Sequence, residues 1–234
     1  MRLFIIRHAD PDYPNNTITP AGHLEARALS VRLAKLGLDH IYSSPLGRAV
    51  DTARYTADTL GKSVTIEPWT AELGHCVAEL DLGGKACVWD VPGEHIRERR
   101  PYATHETWHE HRYFAAPLIR STFDELRTAS DAFLFRHGYE RVEGRYRIVR
   151  SNRDKVAVFC HGGLGLFWLS HLLEIPLPLM VSGFHLPPSS VTTVLFDERS
   201  AAWAVPRCTG VGDVSHLHAA GLPIQPAGIK ANVD

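Results

Sequence analysis

What this chain lacks narrows its possibilities first. Its 25 lysines and arginines nearly balance 26 aspartates and glutamates, for a net charge of -1. It therefore has no global basic field to hold nucleic acid or an anionic membrane, and any anion chemistry must be local. Only four cysteines occur, Cys76, Cys87, Cys160 and Cys208, with no CxxC pair and no zinc-ligand spacing. That excludes a zinc ribbon or a disulfide framework and fits the reduced thiols of a cytoplasmic protein. No run of 18 apolar residues exists, and the opening RLFII is too short and too soon followed by charge to be a signal peptide's core. No internal repeat is visible. The one low-complexity stretch is the tail AAGLPIQPAGIKANVD (219–234), which reads as a surface arm able to reach a neighbouring subunit in a homodimer. The expectation is a soluble protein without membrane or nucleic-acid partners.

With 234 residues, 44% of them apolar, the chain can bury a sizeable core as one domain with an insertion. RLFII is a short apolar run of the kind buried on both faces of a sheet. The Pro- and Asn-rich PDYPNNTITP follows as a loop, and Thr19 then reads as the N-cap of a helix with Pro20 in its first turn. Leu24, Ala28, Val31 and Leu36 recur at helical spacing until Gly37 stops the helix. LDHIYSS is a second strand, LGRAVDTARYTADTLG a helix closed by Gly61, and SVTIEP a third strand. KVAVFC is a buried strand, HGGLGLFWLSHLLEI a turn into an apolar helix, and SSVTTVLFDE with AWAVPRC a strand pair. Strands alternating with helices predict an α/β fold, a three-layer α/β/α sandwich with a mostly parallel central sheet.

That rhythm breaks between residues 76 and 154. From Glu94 to Asp154 there are 12 arginines against 10 acidic residues, with one helix pattern, STFDELRTASDAFLFRHG, and a hairpin pattern, YERVEGRYRIV. The segment reads as a cap inserted into a single 1–234 domain. In its HETWHEHR string, His105 and His109 would share one face of a helix, but no third ligand is evident, so no metal is expected. These histidines, with Trp89, Trp108, Tyr113 and the arginines, are expected to shape a substrate pocket.

The strand ends carry the chemistry. The first ends in Arg7 and His8. The second ends in Ser43 and Ser44 and feeds a helix that opens with Arg48, a cation placed against the helix dipole. KVAVFC ends in His161, followed by Gly162 and Gly163. Ligands of open α/β sheets bind beyond the carboxyl ends of the strands. A glycine-led helix start adds backbone N–H groups and a positive dipole end. The combination fits a tetrahedral oxyanion such as phosphate.

RHA, ITPAGHLEA, YSSPLGRAVDTA and VFCHGG, in that order, resemble the motifs of the histidine phosphatase superfamily, the phosphoglycerate mutase-like proteins. The resemblance covers roughly 1–72 and 155–217, including GDVSHL, similar to a closing Asn/Asp-x-x-His-Leu signature. It implies His8 as a nucleophile that forms a phosphohistidine, with Arg7, Arg48 and His161 holding the phosphoryl oxygens. It also implies a carboxylic acid after the third strand, which WTAELG places at Glu72, with Glu79 and Asp81 as alternatives because the usual Gly-x-Trp-Glu-Gly string is absent. Asn15 or Asn16 would supply a further phosphate contact. Many members have glycine where this chain has Ala9, which requires a negative φ there. No metal or cofactor is required. The implied function is a phosphomonoester hydrolase acting on a small phosphorylated metabolite. Alternatives are a phosphoglycerate mutase-type transferase, against which the missing Leu-Asn-Glu-Arg string counts, and a phospholigand-binding protein without turnover.

Overall fold

The first strand shows why the chain layers as it does. In the computed structural model, which describes residues 1–81 and 83–228, β1 (Arg2–Arg7) is buried from Leu3 onward. Its side chains alternate between two cores: Leu3 and Ile5 join one, Phe4 and Ile6 the other. This is the period of two that a strand between two helix layers must show.

A small hairpin, β2 (Pro11–Asp12) with β3 (Thr17–Ile18), fills the Pro-rich loop. Helix α1 (Pro20–Leu36) starts where the Thr19 hydroxyl accepts the Gly22 N–H and ends at Gly37, whose φ of 68° needs no Cβ. Next come β4 (His40–Ser43), α2 (Gly47–Leu60), β5 (Thr65–Ile66), a hairpin of β6 (Val77–Glu79) with β7 (Lys85–Cys87), and the single turn α3 (Gly93–Ile96). The chain continues through α4 (Pro117–Arg136), β8 (Tyr139–Val142), β9 (Arg145–Ile148), β10 (Lys155–Cys160), α5 (Gly162–Leu173) and α6 (Leu177–Gly183). It closes with β11 (Val191–Asp197), β12 (Trp203–Asp213) and α7 (Ser215–Ala219).

Among the described residues, eight strands form one sheet in the order β5-β4-β10-β1-β11-β12-β9-β8. Leu29 and Leu33 of α1 and Ala53 and Ala57 of α2 cover one face. Phe133 of α4 and Phe167 and Trp168 of α5 cover the other, so the three layers stand as expected. The strand directions are a correction. Only β5, β4, β10 and β1 run parallel, and every pairing from β1 through β11, β12 and β9 to β8 is antiparallel. The βα alternation that predicts parallel strands stops after α6, where β11 and β12 succeed each other across a short turn.

The expected 76–154 cap is also corrected. Helix α4 belongs to the core layer, and β9 pairs with β12 through Trp203–Arg147 and Ala204–Tyr146, so 117–154 are part of the sheet domain. The arginines that made this stretch look separate, Arg145 and Arg147, are exposed on β9, while Tyr146 between them is fully buried. In HETWHEHR only the short 3-10 turn Trp108–Glu110 forms, so His105 and His109 share no helix face. No helix of the described residues is long and apolar enough to cross a membrane. The tail turns back to its own chain, where the Ala227 carbonyl accepts from Arg7 (3.2 Å); residues 229–234 lie outside the described residues.

Candidate active site

The parallel strands deliver their last residues to one edge. His8 follows β1, its N–H donating to the Cys160 carbonyl of neighbouring β10 (2.9 Å), and His161 follows β10 as the N-cap of α5. Ser44 follows β4, and Arg48 stands in the first turn of α2. Because β11 runs antiparallel to β1, the loop before it reaches the same edge, and so does the chain after β12. Ser189 accordingly donates its N–H to the His8 carbonyl (3.0 Å), and Arg7 Nη1 donates to the Leu186 carbonyl (2.6 Å).

His8 is almost completely buried, and its Nδ1 lies 2.8 Å from the Ala9 carbonyl. A carbonyl only accepts, so Nδ1 carries the proton and Nε2 keeps its lone pair. Burial, followed by the Arg7 and Arg48 charges, pushes the imidazole down to about 3, so it is neutral at physiological pH. Ala9 has no positive φ and donates its N–H to Thr52 Oγ1 (3.0 Å). Side by side with His8, at a ring separation of 5.1 Å, lies His161. Its Nε2 is 2.7 Å from Ser44 Oγ, and burial, the adjacent His8 ring and the Arg48 and Arg7 charges drive its imidazole well below the usual histidine range.

Arg7 and Arg48 are both nearly buried. The Nε atoms of both, and Nδ1 of His161, are buried and find no partner among the described residues. Unpaired buried donors are costly, and three around one imidazole point to an oxyanion as their partner. Arg48 also donates to Asn16 Oδ1 (3.1 Å) and lies over the Tyr13 ring. Asn16 reaches it because its backbone is left-handed, φ 50°, and because a Cβ on Gly47 would come within 2.2 Å of the Asn16 carbonyl oxygen. Asn15 is exposed and turned to Asp12 (2.8 Å).

The three candidate acids separate sharply. Glu79 is exposed and pairs with Lys85 within the β6–β7 hairpin, and Asp81 pairs with Arg112. Glu72 instead sits at the start of α5, accepting the N–H groups of Gly163 (3.3 Å), Leu164 (2.9 Å) and Leu73 (3.1 Å). The group that occupies this glycine-led helix start is thus the Glu72 carboxyl. Burial raises its carboxyl against those hydrogen bonds and the Arg7 charge, which pull the other way. Arg7, Glu72, Tyr13, Trp89, His185 and Gly228 are among the residues around a pocket of about 110 Å³.

Sequence reasoning passed over several of these groups. Tyr13 and His185 carry no local motif, and His185 becomes visible only once β11 is known to be antiparallel. Its imidazole is pushed down to about 4 by burial and by Arg7. The GDVSHL string acts at one remove: Asp213 binds Arg32 of α1 (2.6 Å) and His216 Nε2 lies 3.1 Å from Ser189 Oγ.

Glu25 was also missed. It is buried in α1, its Oε2 accepts the Asp10 N–H (3.0 Å), and its Oε1 has no partner among the described residues. Burial raises its carboxyl to about 7. Between the unfolded value near 4.5 and about 7, the unfolded chain ionises while the folded one holds its proton, so this group costs stability as pH rises through that window. Glu25→Gln should therefore be more stable than the parent above pH 7, on the order of 2–3 kcal/mol, with the difference vanishing near pH 4. Urea unfolding at both pH values checks this, and an equal difference at both would sink it.

Comparison with known proteins places the chain in a family. The model of the histidine phosphatase superfamily (branch 1) matches residues 3–208. The chain is 33% identical over 81 residues to a Hydrogenobacter thermophilus protein named "Putative phosphoserine phosphatase 2", a match covering 31% of this chain and 40% of that protein. It is 31% identical over 80 residues to the 2,3-bisphosphoglycerate-dependent phosphoglycerate mutase of Thermoplasma acidophilum, covering 30% and 40% respectively. The chain thus spans about 40% of the length of these curated relatives. A solved structure of a mutant phosphoserine phosphatase from Entamoeba histolytica, in complex with phosphoserine, superposes with a TM-score of 0.62 at 18% identity, covering 92% of this chain and 98% of that one.

Proposed function

Since the chain belongs to the histidine phosphatase superfamily, we propose that it is a phosphomonoester hydrolase acting through a phosphohistidine on a small phosphorylated metabolite. The observation that carries this reading is the neutral, Nε2-presenting His8 surrounded by unpaired donors of Arg7, Arg48 and His161. In the first step Nε2 attacks phosphorus, a P–N bond forms and the P–O bond to the leaving group breaks. Glu72, whose burial favours its protonated form, gives its proton to the departing oxygen. In the second step the Glu72 carboxylate takes a proton from water, the water oxygen attacks phosphorus, and the P–N bond breaks to regenerate His8. Arg7 and Arg48 hold the phosphoryl oxygens through both displacements, with Asn16 orienting Arg48. A phosphate dianion offsets the electrostatic cost that keeps His161 neutral, so His161 gains a proton as the substrate binds.

Trp89 from the expected cap, His185 and Gly228 of the arm line the pocket beside Arg7 and Glu72 and shape its space for the substrate. Of the three acids, Glu72 lies beside the pocket with Arg7, while Glu79 and Asp81 are exposed and ion-paired, and this favours Glu72 as the proton donor. Four free cysteines accord with a cytoplasmic setting.

The test is p-nitrophenyl phosphate hydrolysis in EDTA, with the reaction quenched to trap an acid-labile phosphoenzyme. Turnover insensitive to EDTA and a phosphoenzyme that turns over in water support hydrolysis. A phosphoenzyme stable to water but discharged by phosphoglycerate would make the protein a mutase. Phosphate binding with neither turnover nor phosphoenzyme would make it a binding protein.

A further inference from the structure

We propose that His40, His137 and Asp154 form a binding site for a divalent transition-metal ion, Zn²⁺ being the best fit, at the sheet edge opposite the phosphate pocket. One ligand atom from each residue lies within 4.8 Å of the others. The three arrive from separate elements. His40 opens β4, Asp154 immediately precedes β10, and His137 caps the C-terminus of α4. Strands β4 and β10 run parallel in the register His40 to Val156, so these residues stand where the strands begin. His8 and His161 stand where the parallel strands end.

The surroundings hold these residues in place. Tyr42 Oη is 3.1 Å from His137 Nε2, and the His137 ring packs on Phe133 at 4.8 Å. The His137 carbonyl accepts from Asn152 Nδ2 (2.8 Å), and the Asp154 carbonyl accepts the Arg2 N–H (2.8 Å). A hydrogen-bonded neighbour that orients a ligating ring is what metal-binding histidines ordinarily have.

The direct interactions within the cluster are poor. His40 Nε2 and Asp154 Oδ2 stand 3.7 Å apart, beyond hydrogen-bond length, with both side chains partly exposed. The His40 and His137 rings meet at 5.3 Å and 69° without a hydrogen bond to each other. A tetrahedral ion with bonds of about 2.1 Å holds its ligands roughly 3.4 Å apart, so side-chain rotations of His40 and Asp154 would close the site around it. Two imidazoles and one carboxylate are a donor set that suits Zn²⁺, with water in the fourth position. Of the nearby cations, Arg136 is paired with Glu67, Arg150 donates to the Arg136 carbonyl, and the Met1 ammonium donates to Tyr139 Oη and the Asn152 carbonyl. A bound ion would tie β4, β10 and the end of α4 together, with no part in hydrolysis.

The test is calorimetric titration of the chelator-stripped full chain with Zn²⁺, together with its thermal unfolding. One ion per chain should bind and raise Tm by a few degrees, as any ligand of the folded state does. His40→Ala and Asp154→Asn alter partly exposed groups and should fold. Each should weaken binding by more than about a hundredfold, since even an outer partner of a ligand is worth roughly 10–100-fold. Aryl phosphate turnover should be the same with and without EDTA in all three proteins, so failure of this proposal leaves the phosphatase reading untouched. Unchanged Zn²⁺ binding in both variants, or no binding by the parent at 0.1 mM (about 10⁻⁴ M, the weak end for protein metal sites), would overturn it.

Discussion

His8→Ala is expected to lower p-nitrophenyl phosphate turnover by more than about 10³-fold and to abolish the trapped phosphoenzyme, while inorganic phosphate still binds. The argument starts from the imidazole itself. A nucleophile must present a lone pair, and His8 does so because burial and two guanidinium groups keep it neutral while the Ala9 carbonyl fixes the proton on Nδ1. Removing it leaves the donors of Arg7, Arg48 and His161, which bind the phosphoryl group without supplying the group that attacks it. The substitution also shortens a buried side chain, so circular dichroism and phosphate-dependent Tm must show that the fold and the anion pocket persist. Loss of both phosphate binding and Tm would mean that the pocket collapsed, and His8→Asn, closer in volume, then replaces it. Turnover within tenfold of the parent, in a variant that still folds and binds phosphate, would remove His8 from the mechanism.

How much of this was legible beforehand depended on how local each signal was. Helix α1 announced both its ends, because Thr19, Pro20 and Gly37 act within one turn of their own backbone. Arg7, His8, Arg48 and His161 were legible because each ends, follows or stands in the first turn of an element whose periodicity was clear. The antiparallel half of the sheet was not, since strand direction depends on pairings such as Ile6 with Val191, far apart in sequence. Tyr146 illustrates the same limit: flanked by Arg145 and Arg147 it looks like part of a charged insertion, and only the pairing of β9 with β12 explains its burial. Asn15 and Asn16 were indistinguishable by type, and the left-handed backbone at Asn16 together with the missing Cβ of Gly47 decides which one meets Arg48. His40, His137 and Asp154 carry no motif at all, being spread over 115 positions of the sequence and joined only by the β4–β10 pairing and by the end of α4, where His137 meets Tyr42.

Glu72→Gln carries the second large expectation, and its value lies in how the loss divides between substrates. If Glu72 protonates the leaving oxygen, an alkyl phosphate, whose alkoxide is strongly basic, should slow by roughly 10²–10⁴-fold. Nitrophenolate departs without a proton, so the first step on p-nitrophenyl phosphate should slow far less. The second step still lacks its base, and the phosphohistidine should accumulate, giving a rapid burst near one nitrophenolate per chain before a slow steady rate. Burial already biases this carboxyl toward the protonated form, even though it accepts three backbone N–H groups. Gln keeps the volume and one accepting oxygen, but it turns an –NH₂ toward a site that two amides of α5 address, so a modest loss of stability accompanies the kinetic effect. Rapid-quench measurement of the burst on both substrates separates the outcomes. A burst confined to the aryl ester assigns both proton transfers to Glu72. Equal slowing of the two esters with no accumulated phosphoenzyme would instead make Glu72 a structural N-terminal anchor of α5 and move the acid elsewhere in the pocket.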